Sequence, residues 1–208
     1  MITVKDTRID EVDRKIISLL MENPKMSQSA IARVLGISQP AVYARIKQLE
    51  EAGIIERVVG VNLKKTSLYM AKIDVTAKDP WKILEFFKNC PMYINGLVTS
   101  GRHNLCLFFV SEKLSAIESC INFHIRRDAD VTDVEFNVVI ATAKNLVVPT
   151  RVRRERKRIS PCGRKCDEEP CYLSGKCIGC PATIFYKGGN PIIHVLGGDV
   201  GQADSIVT

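Results

Sequence analysis

Residues 27–51 read SQSAIARVLGISQPAVYARIKQLEE, and this stretch decides the fold of the chain's first part. A helix start leaves four backbone N–H groups without partners, and a serine oxygen just before it accepts one of them. Ser27 is placed to do this for a short helix carrying Ile31 and Leu35 on one side. Gly36 follows, the residue that tolerates the left-handed backbone of a tight turn. Ser38 then caps a second helix, with Pro40 in the first turn, where a missing N–H costs nothing. Val42, Ile46 and Leu49 recur at helical spacing and point inward, which turns Gln39, Tyr43, Arg45 and Lys47 outward. Gly53 ends this helix, and Ile54–Gly60 is β-rich and a candidate wing. Upstream, Ile9, Val12, Ile16 and Leu19 repeat at helical spacing until Asn23-Pro24 stops them. The spacing predicts a winged helix-turn-helix over residues 1–62.

Residues 66–148 change character. Met70–Thr76 reads as a strand, and Pro80–Cys90 as a helix with Trp81, Leu84 and Phe87 along one side. Leu97–Thr99 and Leu105–Val110 form a strand pair across residues 100–104. Leu114, Ile117, Ile121 and Ile125 mark a second helix. Val134, Phe136, Val138 and Ile140 alternate with Glu135 and Asn137, a strand with one buried face. The order is βαββαβ, a ferredoxin-like plan for a regulatory and dimerisation domain. Leu105–Val110 is apolar at every position, so both faces of that strand need cover. Helices of the domain cover one face. A second copy's sheet is the simplest cover for the other, which predicts a homodimer or higher homo-oligomer; a flap of the same chain is the alternative. The expected fold class is α+β. A basic linker (149–160), a small cysteine-rich module (161–187) and a glycine-rich tail (188–208) complete the chain.

The 208 residues carry a formal charge of +7. The run 151–158, RVRRERKR, holds six basic residues and one acid and so supplies +5 of it. Such a cluster suits a phosphate backbone or a solvated linker. The opening MITVKDTRID lacks the apolar core of a signal peptide, and no apolar run reaches the roughly 18 residues a membrane helix needs. A cytoplasmic protein without membrane contact is expected.

A helix such as 39–51 fits the major groove of B-form DNA. Gln39 and Arg45 can pair with purine edges, whereas Tyr43 and Lys47 suit phosphate. Ser38 and Pro40 sit where free N–H groups attract an anion. These six are the candidate DNA-binding residues, with double-stranded DNA as the partner.

The segments IDEVDRKII (9–17), IARVLGIS (31–38) and LEEAGII (49–55), with Ser27, Val42, Arg45 and Ile46 between them, resemble the Lrp/AsnC family of transcription regulators. Residues 66–148 look like that family's regulatory domain. The resemblance implies a regulator that dimerises through its sheet, can assemble further, binds palindrome-like sites and often takes small effectors. The family's effector loop commonly carries a glycine, then an aromatic and an aspartate. Here the stretch is Gly101, Arg102, His103 and Asn104, the candidate effector residues. The acid has become an amide, so an amino-bearing effector fits poorly, and Arg102 and His103 could instead meet an anion.

Five of the eight cysteines fall at Cys162-x3-Cys166-x4-Cys171-x5-Cys177-x2-Cys180. Thiolates are soft ligands for zinc, copper(I) or iron–sulfur centres, and four around one ion close a tetrahedral site. Cys177 and Cys180 make a chelating knuckle relaxed by Gly179. Zinc is the expected metal, with an iron–sulfur cluster or copper as alternatives, and one cysteine in excess. Arg164, Lys165, Lys176 and Lys187 are expected to lower the thiol pKa values. Archaeal regulators that join such a helix-turn-helix to a cysteine-rich metal-sensing tail have a similar layout. Their usual later pair of cysteines is missing here, and His194 is the single later donor. Cys90, Cys106 and Cys120 read as small buried hydrophobes.

The leading reading is a sequence-specific DNA-binding transcription regulator, metal- or redox-responsive through the cysteine cluster. The alternative is a regulator answering an amino acid or other small effector, with a purely structural zinc module. An enzyme resembling sirohaem decarboxylases is the remote third, but no paired acid and base, partnered nucleophile or phosphate loop supports it.

Overall fold

A computed structural model describes residues 9–149 and 156–188, and the chain divides into two compact units, Met1–Val58 and Val59–Thr208. Part of the expected basic linker and most of the glycine-rich tail, His194 included, lie outside the described residues.

The first unit has three helices: α1 (Glu11–Glu22), α2 (Gln28–Leu35) and α3 (Gln39–Glu51). The caps are those the sequence predicts. Ser27 Oγ accepts from the Ala30 N–H at 3.2 Å, and Ser38 Oγ from Ala41 at 3.3 Å. Gly36 takes φ +68°, the left-handed turn between α2 and α3. Ile16, Ile31, Val42, Ile46 and Leu49 close the core. The expected strand over residues 54–60 does not form. The Ile54 N–H bonds the Leu49 carbonyl at 2.9 Å, and Ile55 packs on the core, so the chain wraps back against α3.

The second unit contains β1 (Val61–Asn62), β2 (Tyr69–Ala77), α4 (Pro80–Phe87), β3 (Tyr93–Val98), β4 (Leu105–Ser111), α5 (Leu114–His124), β5 (Val131–Val138), β6 (Val147–Val148) and the short α6 (Pro170–Leu173). The main sheet is antiparallel in the order β3-β4-β2-β5, the ferredoxin-like arrangement. Alternate residues Ile73, Val75, Leu105, Leu107 and Phe109 face α4 and α5, where they meet Phe87, Ile117 and Ile121. Gly96 lets α4 approach β3, since a Cβ there would overlap Leu84 and Leu107.

The outer face corrects the case for a partner. Val110 packs with Met70 and Val148, flanked by Val61 and Leu63, under the two-stranded ribbon β1–β6. A flap of the same chain thus covers this part of β4, and β4 alone no longer demands a second copy. The alternation expected to end at Ile140 ends at Val138: Ile140 lies beyond β5 and is exposed. Among the described residues, no helix is long and apolar enough to cross a membrane.

Candidate functional site

On α3 the residues Gln39, Pro40, Tyr43 and Lys47 are exposed, beside the Ser38 cap. Gln39 donates its amide to Gln28 Oε1 at 2.8 Å, which orients it from α2. Ala44 and Gln48 share the exposed surface and were not singled out by the sequence.

Arg45 differs from the expectation. Its Nη1 donates to Asp10 Oδ2 at 2.6 Å and Asp13 Oδ1 at 2.8 Å. The same two acids cap α1 reciprocally: the Asp13 N–H donates to Asp10 Oδ1 and the Asp10 N–H to Asp13 Oδ2. One carboxylate oxygen of each acid thus serves α1, and the other holds α3. The Asp13 N–H, with Arg45 second, keeps the Asp10 carboxyl below its ordinary range, and the bonds to Asp13 and Asp10 raise the Arg45 pKa. In this structure Arg45 thus fixes α3 on α1 instead of standing free on the outward face.

The second constellation lies between α5 and the cysteine-rich segment. Cys162, Cys166, Cys171, Cys177 and Cys180 all line one cavity of about 40 Å³. Cys90 and Cys120, read from the sequence as buried hydrophobes, line it too, as does His124. They are distant along the chain, and no spacing rule joins them to the cluster. The Gly179 N–H donates to Cys177 Sγ at 3.4 Å, with Gly179 at φ +85°, so the knuckle turn forms as expected. Ser160 Oγ lies 3.1 Å from Cys162 Sγ, and Ser119 Oγ 3.0 Å from Cys171 Sγ. Arg164 pairs with Glu169 at 2.7 Å and stacks 3.7 Å over the Phe123 ring, tying the segment to α5.

At Cys177 and Cys180 the shift runs opposite to the expected lowering. Burial pushes Cys177 up and Cys180 up to about 12. The hydrogen bond to Cys90, then burial, raises Cys120. Lys165 is paired with Glu168, and Lys187 sits over the Tyr172 ring. Burial, with Arg164 adding to it, lowers His124 to about 4, so its imidazole is neutral. Among the described residues, no three His, Cys, Asp or Glu side chains stand as close as a loaded metal site would hold them.

Residues 9–56 match a family model for winged helix-turn-helix DNA-binding. An uncharacterized HTH-type transcriptional regulator of Pyrococcus furiosus is 31% identical over 110 residues, 52% of this chain and 69% of that protein. The regulator LrpA of Pyrococcus abyssi is 37% identical over 78 residues, 37% of this chain and 55% of that protein. The solved structure of Escherichia coli AsnC superposes with TM-score 0.55 at 18% identity, covering 66% of this chain and 96% of AsnC. The chain belongs to the Lrp/AsnC family of transcription regulators. Its matched relatives are named as regulators rather than enzymes, and it is a DNA-binding regulator of this type.

The family context makes the departure at Asn104 interpretable. Its side-chain oxygen accepts from the Ala77 N–H at 3.0 Å, and its nitrogen donates to the Ala77 carbonyl at 2.7 Å. An aspartate could accept but not donate, so the amide matches this two-way bond with the end of β2. Arg102 Nη2 and His103 Nε2 both reach Asp133 Oδ2, at 2.9 and 3.2 Å, and Gly101 supplies a left-handed turn at φ +125°. The His103 bond, with Arg102, lowers the Asp133 pKa. The two side chains expected to meet an anion thus already have Asp133 as partner. Asn104→Ala is expected to cost about 1–3 kcal/mol, because both Ala77 backbone groups lose their partner. A chemical-denaturation midpoint checks this. An unchanged midpoint would mean water replaces the amide at no cost.

Proposed function

We propose that this regulator reads double-stranded DNA with Gln39, Tyr43 and Lys47 on α3, with the free N–H groups beside Ser38 and Pro40 binding phosphate, and takes its signal as a soft metal ion at the cysteine cluster. The observation that carries the metal reading is that all five module cysteines line one cavity. The amide-to-sulfur bond in the Cys177–Cys180 knuckle adds to it, since donors to sulfur are what a coordinated thiolate needs around it. Zinc is the first metal proposed, with an iron–sulfur cluster or copper next. We further propose a cytoplasmic homodimer, with Tyr69, Leu97 and Val98 among the exposed apolar residues of the sheet. The small-effector alternative through Gly101–Asn104 is set aside, because that loop's polar groups already engage Asp133 and Ala77.

The test pairs metal with DNA. Protein purified without air is analysed for metal, and its binding to genomic fragments is titrated before and after chelation. Metal removal is expected to change DNA affinity. Cys177→Ser with Cys180→Ser is expected to lower the metal bound per chain and remove that response. Unchanged metal content in this variant would take the knuckle out of the site, and DNA binding indifferent to chelation would leave the metal without a signalling role.

A further inference from the structure

Seven of the eight cysteines line one cavity between α5 and the cysteine-rich segment; the eighth, Cys106, does not. Five belong to the segment itself. Cys90 comes from the turn that follows α4, and Cys120 from α5, both within the regulatory domain. A tetrahedral soft ion takes four ligands. Seven sulfurs are too many for one such ion and too concentrated for unrelated thiols. Two tetrahedra that share a corner use seven donors, and two that share an edge use six.

We infer that Cys90 and Cys120 are ligands of the same centre as the module cysteines, and that the cavity takes a thiolate-bridged pair of zinc-class cations. This rests on the metal reading proposed above and adds the nuclearity and the two regulatory-domain ligands.

The surroundings fit a thiolate-rich, negatively charged centre. The Arg164 guanidinium reaches Cys171 Sγ at 3.8 Å, and hydroxyls of Ser119 and Ser160 lie against Cys171 and Cys162. His124, at the cavity wall, has a buried Nε2 with no hydrogen-bond partner among the described residues. Each coordinating thiol gives its proton to solvent as its sulfur bonds the metal. The thiols ring the cavity without converging, so loading draws the module inward against α5 and the turn after α4. The centre thereby clamps the module onto the helical layer of the regulatory domain.

The experiment loads the reduced full-length chain with Zn²⁺ alone, without air, and counts bound metal. About two zinc ions per chain are expected, four ligands to each ion with one or two shared. Cys90→Ser with Cys120→Ala should halve the count or lower it further, and Cys106→Ser should leave it unchanged. Because Cys120 is buried, the wild-type chain gives a second measurement that needs no variant. Zinc should protect Cys90 from iodoacetamide together with the module cysteines, without changing the rate at Cys106. One zinc per chain with Cys90 unprotected overturns this inference and leaves the metal reading standing. No bound zinc removes both. Iron with acid-labile sulfide, retained against zinc, overturns the paired cations while keeping a metal centre.

Discussion

Phe109→Ala is expected to lower the unfolding free energy of the second unit by about 3–5 kcal/mol. The ring is fully buried, edge-on to Phe87 at 5.1 Å and to Tyr93 at 5.5 Å. Truncation removes its apolar surface from the core and leaves a cavity whose walls, on β4, α4 and α5, belong to regular elements that relax little. Against a typical domain stability of about 5–15 kcal/mol, the loss is a large fraction. Denaturant unfolding followed by circular dichroism should show a lower midpoint with an unchanged slope. Phe108→Ala, one residue earlier on the half-buried outer face, should cost less. Equal losses at the two positions would mean that the helical layer is not where this domain's stability resides.

Arg45→Ala is expected to weaken binding to a specific site and to random duplex by the same factor, on the order of tenfold, as the charge-assisted hold on α3 is lost. The reasoning is geometric. Arg45 already donates to Asp10 and Asp13, so its loss loosens the seating of α3 rather than a single base contact. Gln39→Ala should do the opposite: a loss of about 1–3 kcal/mol on the specific site and little on random DNA. Competition anisotropy with matched and scrambled duplexes separates the two patterns. If Arg45→Ala changes preference at one base pair and spares random DNA, then Arg45 leaves its carboxylates on binding and reads a base. The pH dependence has a definite sign. The Asp10 pKa is depressed in the folded unit, so its contribution is complete above the ordinary carboxylate range and fades as pH falls through the lowered value. The attachment of α3 is therefore intact at neutral pH.

The contrast between Ser38 and Arg45 shows what was legible. Ser38 caps a helix three residues away, a local event that residue type and spacing determine. The βαββαβ order was readable for the same reason, since period-two and helical patterns are local. Arg45 meets acids 32 and 35 residues upstream, and periodicity gives a side chain's direction without its partner. Cys120 and His124 reach the cysteine module through the packing of α5, and Cys90 through the turn after α4, so nothing in their own neighbourhoods marks them. The Cys177 and Cys180 pKa values went the other way because Lys165 and Lys187, near in sequence, point to Glu168 and Tyr172, leaving burial to dominate. The cover over Val110 stood only as the alternative to a second copy, because each strand of the ribbon is two residues long, too short to leave a pattern.

That ribbon has a mechanical meaning. Val61 pairs with Val148, and Asn62 with Val147, so the thread arriving from the helix-turn-helix and the thread departing toward the cysteines pass through one two-rung ladder. Gly60 keeps the crossing tight, since any side chain there would run into the Val148 carbonyl. The two threads are thus laced together at one point, and the ribbon is where the metal signal proposed above would meet the tether of the DNA-reading head.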